Sequence, residues 1–385
     1  MLFFGFAVVL IIPYVVLLIY YFMAWNDIEE TGFPSAGESQ FPFFSVIIAA
    51  RNEEGNIRKC LESMTNQHYP PDRFEIWVVN DFSEDGTAEV VLSFQNHFHN
   101  VRLINLSDFL KGDHLNSYKK KAIEAGISQS HGEWIVTTDA DCMAGTEWLR
   151  TMAGCVISEN PSMIAATVRF MTSPAKNIFQ KLFFFFQALD FMTLQGITGA
   201  ALSKHLHYMA NGANLAYRKK TFEEVGGFSG IDLIASGDDM LLMEKFGFER
   251  KVFFLKNKDA IVSTMPEKTL KGFFNQRIRW AGKSASYRDV KIKWVLAMVY
   301  AINACLLVLA LSALFIQGLW IYLLVFFLLK VVSEILFLWP VSGFFGRRKL
   351  LWTFVFFQPF HVIYILVAGW LGAFGSYQWK GRRVK

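Results

Sequence analysis

No lysine or arginine precedes Arg51, and residues 2–22 carry no charge at all. A cleaved leader wants a basic start and a small-residue cleavage site. Phe22-Met23-Ala24-Trp25 is a poor one, so the run predicts a retained anchor. Four cysteines, Cys60, Cys142, Cys155 and Cys305, show no C-x-x-C spacing. That argues against a zinc site and predicts reduced thiols in a cytosolic domain. Charge is scarce, at 18% of residues, whereas 53% are apolar and 39 are Phe, a balance that predicts membrane segments. No internal repeat or low-complexity tract is present apart from the run Phe183–Phe186. The net charge of +5 is modest. Its basic residues before 294 suit a membrane surface, and no nucleic-acid partner is expected.

The apolar residues gather at the two ends. Residues 2–22 are long enough to span a bilayer, and three further runs close the chain: Trp294–Phe315, Leu319–Pro340 and Leu351–Phe374. Lys330 and Glu334 lie four apart in the second, on one helix face, where they pair or meet other helices. Arg277, Arg279, Lys283, Arg288, Lys291 and Lys293 precede the first run, and Arg347, Arg348 and Lys349 precede the third. These place the middle of the chain in the cytoplasm. Lys380, Arg382, Arg383 and Lys385 also favour the cytoplasm, which a simple fourth span would deny them. Gln358-Pro359 at the centre of the last run leaves both a spanning and a re-entrant segment open. The expected organisation is an anchor at 1–24, a linker at 25–42 with Gly32, Pro34 and Gly37, and a cytosolic domain at 43–290. A membrane region follows at 291–376, with two spans plus a third spanning or re-entrant segment, then a basic tail at 377–385. So few spans argue against a transporter.

From about Phe43, strands alternate with helices. Phe44–Ala49, Phe74–Val79, Val101–Leu106 and Trp134–Thr138 are apolar strand candidates. Helices are expected over Glu53–Thr65, with Asn52 as its cap, and over Thr87–Phe94 and Tyr118–Ile127. The alternation predicts an α/β fold with a mainly parallel, doubly wound sheet, its strand C-termini along one ligand-binding edge. Asn177–Gln195 is a helix with a heavy aromatic face, belonging either to a core or to the bilayer interface.

Polar residues end three of the strands: Ala50-Arg51-Asn52-Glu53, Asn80-Asp81 and Asp139-Ala140-Asp141. Each alone is an ordinary turn or cap. In an extended strand Asp139 and Asp141 share a face and can hold a divalent cation that clamps a diphosphate. A second acidic pair, Asp238-Asp239, stands about 100 residues later. Gln276-Arg277-Ile278-Arg279-Trp280 precedes the membrane region, where arginines and an indole serve as an interfacial anchor or grip a diphosphate and a sugar ring.

Taken in order, these pieces resemble the family 2 inverting glycosyltransferases, in particular the membrane-embedded branch with cellulose, hyaluronan and poly-N-acetylglucosamine synthases. The matching segments are VIIAARNEE (46–54), VVNDFSEDGT (78–87), KKKAIEAG (119–126), TTDAD (137–141), NGANLAYRK (211–219), GGF (226–228), SGDDMLL (236–242) and QRIRW (276–280). The resemblance implies a GT-A-type (Rossmann-like) domain, mainly parallel with helices on both faces, plus transmembrane helices at both ends. It implies a nucleotide pocket lined by Ala50, Arg51 and Glu53, with Asp81 accepting from a uracil imide. Asn80 replaces the family's first acid there. Lys119, with Lys120 as the alternative register, approaches the base or phosphates. Asp139 meets the ribose or diphosphate and, with Asp141, the metal, Mg²⁺ or Mn²⁺. Asp239 is the implied catalytic base, and Asp238 stands where the family has Glu. Asp238, Asn214 and Trp280 fall on the acceptor side, while Gln276 and Arg279 hold the donor diphosphate.

The chemistry is coherent on its own terms. Cleaving a sugar–diphosphate bond puts negative charge on the leaving group, which a metal and Arg279 stabilise where it grows. Asp239 removes the acceptor proton, and attack from the opposite face inverts the anomeric centre. The expected partners are a nucleotide-sugar donor (a UDP-sugar foremost), a saccharide or lipid acceptor, the bilayer and, for polymer synthesis, an accessory export subunit. The expected location is the plasma (inner) membrane with the catalytic domain cytoplasmic. Single transfer to a membrane lipid and a non-catalytic nucleotide-sugar-binding protein are the alternatives.

Overall fold

A computed structural model of the chain describes residues 2–33, 37, 40–110, 117–234, 236–374, 377–379 and 382–384. Part of the expected linker (34–36, 38–39) and the tail residues Lys380 and Lys385 lie outside the described residues. Two compact units emerge. One comprises Glu29–Met171, Tyr208–Met265 and Gln378–Lys385, and the other Met1–Ile28, Thr172–His207 and Pro266–Tyr377. Residues 172–207 and 266–290, inside the expected cytosolic domain, therefore group with the apolar helices.

The first unit is built on strands β1 (Phe44–Ala50), β2 (Phe74–Asn80), β3 (Val101–Asn105), β4 (Trp134–Asp139), β5 (Met163–Ala166), β7 (Leu215–Arg218) and β8 (Val252–Leu255), in the order β3-β2-β1-β4-β7-β5-β8. β1 pairs in parallel with β2 and β4, and β2 in parallel with β3. β7 alone runs antiparallel, against both β4 and β5. Two short strands, β6 (Val168–Phe170) and β9 (Val262–Thr264), pair in parallel beside this sheet. The mainly parallel α/β sheet is thus as expected. β1 is apolar except for Ser45 and buried at nearly every residue, as a strand covered on both faces must be. Helix α4 (Tyr118–Gln129) lies so close to β1 and β2 that a Cβ on Gly126 would stand 2.7 Å from the Ile47 side chain.

The register aligns the working edge. Ala50 pairs with Asn80, Asn80 with Asn105, and Ala49 with Asp139, so four strands end flush. Because β7 is reversed, its start, Leu215, arrives at the same edge beside Thr137. One local expectation is corrected here. Asn52 does not cap the following helix, α2 (Glu54–Thr65). The N-cap position is Glu53, and Asn52 adopts φ 52. The loop after β2 satisfies the free N–H groups instead: Glu53 donates to Thr87 Oγ1 (2.8 Å) and Glu54 to Asp85 Oδ2 (3.1 Å). A left-handed Asn is turned away from a cap geometry and reaches the Glu84 N–H instead, at 2.9 Å.

The second unit is helical: α1 (Leu2–Asn26), α6 (Ile178–Ser203), α9 (Leu270–Gly282), α10 (Val290–Ala313), α11 (Leu319–Phe344) and α12 (Leu351–Phe374). Four stretches among the described residues are long and apolar enough to cross a membrane: Val9–Asn26, Val290–Ala313, Leu319–Phe344 and Arg348–Phe374. α12 is one continuous helix through Pro359. Lys330 pairs with Glu334 (2.7 Å) and also donates to Gln358 (2.6 Å), whose amide returns to Glu334 (2.9 Å). Tyr14 of α1 donates to the same carboxylate at 2.5 Å. The alternatives for the 177–195 helix divide by position. The first turn of α6 is open, with Phe179 79% exposed, while Phe186, Leu189, Asp190 and Phe191 are buried within the helical unit.

Candidate active site

The site in the sheet unit grows from strand ends. β4 delivers Asp139, and Asp141 follows two residues on. One ligand atom each from Asp139, Asp141 and Cys142 fall within 4.8 Å of one another. Burial, then the charges of Asp141 and Asp139, push the Cys142 thiol up, so it stays protonated and the metal-ready donors are hard carboxylate oxygens. Oxygen donors of this kind suit Mg²⁺ or Mn²⁺. Thr264, at the end of β9, donates to Asp141 Oδ2 at 3.2 Å and orients it.

Lys119, in the first turn of α4, places its ammonium 2.8 Å from Asp139 Oδ1 and 2.9 Å from Asp238 Oδ2. Burial alone would lower the pKa of this lysine, but the attraction of Asp139 and Asp238 outweighs it and holds Lys119 above the ordinary lysine range. The next residue, Lys120, does different work. Fully buried, it donates to the carbonyls of Ile231 (2.6 Å), Ile234 (2.6 Å) and Ser236 (3.0 Å), and so ties down the segment leading into Asp238-Asp239. Geometry therefore separates the two lysines that the sequence register left open.

Asp239 is held on both oxygens. Oδ1 accepts from the Met240 N–H at 2.7 Å and Oδ2 from the Gly212 N–H at 3.3 Å. Gly212 sits among these charges: a Cβ there would come within 3.0 Å of Asp238 Oδ2 and 3.6 Å of both Asp239 Cβ and Lys119 Nζ. A side chain there would press on the Asp238 carboxylate, which would have to give by a few tenths of an ångström. Two residues on, Asn214 is fully buried. Its oxygen accepts from Trp148 Nε1 (3.0 Å) and its amide donates to the carbonyls of Thr167 and Ala260 (2.8 Å each). Its amide is committed to holding the turn that positions Gly212.

At the β1 and β2 ends, Arg51 donates from Nη1 to the carbonyls of Asp81 and Phe82, both at 2.9 Å. Asp81 is buried, its N–H donating to Ala50 at 2.8 Å. Glu53 accepts from the Asn56 amide at 2.7 Å. Ala50, Arg51, Glu53 and Asp81 thus share one corner of the sheet edge, and Lys119, Asp139, Asp141, Asp238 and Asp239 share another part of it.

Gln276, Arg279 and Trp280 belong to α9 of the helical unit. Trp280 stacks on Phe191 (centroids 5.9 Å apart) and under the Arg277 guanidinium (4.2 Å). Arg277 also donates to the Gln276 side chain (2.7 Å) and forms a buried pair with Asp190 (2.6 and 3.0 Å), to which Tyr364 also donates. Sequence reasoning missed Gly212, Thr264, Lys120 and the Arg277–Asp190 pair in these roles. The segment N-G-A-N carried a visible cue in its glycine, whereas Thr264 and Asp190 carried none.

Residues 45–226 match the family model described as Glycosyl transferase family 2. The glycosyltransferase AglE of Haloferax volcanii is 30% identical over 200 residues, 52% of this chain and 60% of that protein. The probable glycosyltransferase YdaM of Bacillus subtilis is 27% identical over 244 residues, 63% of this chain and 55% of that protein. The matched region therefore spans only a little over half the length of these relatives. Among solved structures, the mannosyltransferase PcManGT from Pyrobaculum calidifontis, in complex with GDP-Man and Mn²⁺, superposes with a TM-score of 0.65 at 17% identity, covering 97% of this chain and 99% of that one. That similarity speaks to the fold.

Proposed function

The chain carries a glycosyl transferase family 2 domain, and from that premise we propose that it is a membrane-bound, metal-dependent inverting glycosyltransferase. It moves a sugar from a nucleotide-sugar to the hydroxyl of a saccharide or lipid-linked acceptor. One observation carries the reading: Lys119 draws Asp139 of the first acidic motif and Asp238 of the second onto one ammonium, with Asp239 adjoining. Two motifs about 100 residues apart thereby face a single small volume, as coupled leaving-group and acceptor chemistry requires.

In this proposal Asp139 and Asp141 would hold Mg²⁺ or Mn²⁺, which would supply positive charge beside the donor diphosphate. Lys119 adds a second cation at the same place. Arg51 shapes the nucleotide corner with Ala50, Glu53 and Asp81. Asp239 takes the acceptor proton while its two backbone N–H contacts fix its lone-pair direction, worth roughly 10²–10⁴-fold in rate. Asp238 lies on the acceptor side. Gln276 and Arg279 keep the proposed role of donor-diphosphate contacts, and Trp280 that of an acceptor contact. The four apolar helices anchor the enzyme in the inner membrane, with the sheet unit cytoplasmic on the count of flanking lysines and arginines.

The test is incubation of the protein in its membranes with labelled nucleotide sugars, with and without Mn²⁺ or Mg²⁺. Metal-dependent incorporation from one donor supports the reading. A long insoluble product identifies polymer synthesis, and a single labelled lipid identifies one-step transfer to a lipid acceptor. Binding of donor with no transfer to any endogenous acceptor would turn the reading toward a non-catalytic binding protein.

A further inference from the structure

Phe82, directly after Asp81, adopts φ 52. In that left-handed region the Cβ crowds the backbone, and a bulky aromatic is rarely found there. The surroundings enforce the strain. Arg51 holds the Phe82 carbonyl at 2.9 Å, Asn80 Oδ1 accepts from the Ser83 N–H at 3.0 Å, and Asn52 Oδ1 accepts from the Glu84 N–H at 2.9 Å. A glycine would adopt the same backbone without strain. What the strain retains is therefore the ring. That ring is not core: Phe82 is 41% exposed, at the polar edge where β1 and β2 end. It meets Tyr118 edge to face, with centroids 6.1 Å apart at 86°. Tyr118 immediately precedes Lys119, whose ammonium binds Asp139 and Asp238. Phe82 thus follows the residue expected to contact the base and touches the tyrosine that precedes the cation next to the phosphate site. Backbone strain of this kind, held by many contacts around an exposed side chain, marks ligand clamps.

We propose that Phe82, braced by Tyr118, is the stacking platform for the donor's nucleobase. This rests on the nucleotide-sugar reading and adds to it a binding residue that the motif roles do not include. Stacking uses the π face that every base presents, so the platform supplies affinity while Asp81 reads the base edge.

The experiment measures binding of UDP, GDP and inorganic pyrophosphate, each with Mn²⁺, to the full chain in detergent. For whichever nucleoside diphosphate the wild type binds, Phe82→Ala weakens binding by roughly 5- to 150-fold, the range for removing one base-stacking aromatic. Binding of Mn²⁺-pyrophosphate is unchanged, and Phe82→Trp restores nucleotide affinity. Phe82→Gly loses the same affinity while the thermal midpoint holds or rises. Equal nucleotide binding by Phe82→Ala and wild type overturns the inference and leaves the nucleotide-sugar reading standing. Equal losses for nucleotide and pyrophosphate overturn it too, since the ring would then only shape the loop. A wild type that binds neither nucleotide removes the nucleotide-sugar reading, and this inference with it.

Discussion

Asp139 and Asp238 share one cation, the Lys119 ammonium, at 2.8 and 2.9 Å. The acid that ends a sheet strand and the acid beside the proposed base are thereby tied in position by a third residue from a helix start. Lys119→Met leaves two carboxylates facing each other without it. Transfer is expected to fall roughly 10²–10³-fold, the usual loss when one preorganised charge partner is removed from a site. The check is initial rate against nucleotide-sugar concentration, and a near-normal rate would exclude an electrostatic role.

Asp239→Asn keeps the shape but cannot take a proton, and its amide retains only one of the two backbone contacts, because the –NH2 group cannot accept. Turnover is expected to drop about 10²–10⁴-fold while nucleotide binding is retained. Unchanged turnover would remove Asp239 from the role of base.

Chelation should abolish transfer reversibly, with Mn²⁺ or Mg²⁺ restoring it. Asp141→Asn should raise the metal concentration needed for half-maximal rate, because it removes one of two carboxylates. Full activity in chelator would exclude the metal reading of Asp139 and Asp141.

Arg277 and Asp190 form a buried ion pair in the helical unit. Arg277→Met strands the Asp190 charge and is expected to cost about 3–5 kcal/mol, whereas Arg277→Met with Asp190→Leu should cost much less, because no buried charge is left unpaired. Thermal midpoints in detergent measure both. Equal losses for single and double variants would show that packing, rather than charge, sets the cost.

Glu75 supplies a pH prediction away from the site. Burial pushes its carboxyl up, but hydrogen bonds from the His131 backbone, Ser45 and the His131 side chain outweigh this and hold it below the ordinary value of 4.5. A carboxylate with a depressed folded pKa adds stability above its unfolded pKa, and loses it as pH falls through the folded one. The wild type should therefore lose part of its thermal midpoint below about pH 4.5. Glu75→Gln should start lower at neutral pH and lose less on acidification.

Some of this was visible in the chain and some was not, for physical reasons. β1 to β4 stood out because parallel strands covered on both faces are continuous apolar runs. Strands such as β6 and β9, three residues each, give no periodicity to detect. Asp139, Asp141 and Asp239 sit in local motifs, so their convergence was open to inference. Asn52 misled because its side chain bonds across to another loop, which no local pattern encodes. The division of labour between Lys119 and Lys120 and the closeness of Gly212 to three charged groups exist only in the folded packing. Lys330 and Glu334 were legible as a pair from their four-residue spacing, but Tyr14 and Gln358 as their partners were not.

That last cluster constrains how the molecule is made. Tyr14 leaves the ribosome with the first helix, yet the carboxylate it donates to, Glu334, is synthesised 320 residues later. Lys330, on the same helix, pairs with Glu334 as soon as α11 forms, but the hydrogen bonds from Tyr14 and Gln358 are made only once α1 and α12 are at hand. All of the sheet unit except its last segment, Gln378–Lys385, is translated between Tyr14 and Glu334. Truncation between Glu334 and Gln358 should therefore leave the Lys330–Glu334 pair without its amide partner and lower the thermal midpoint of the helical unit.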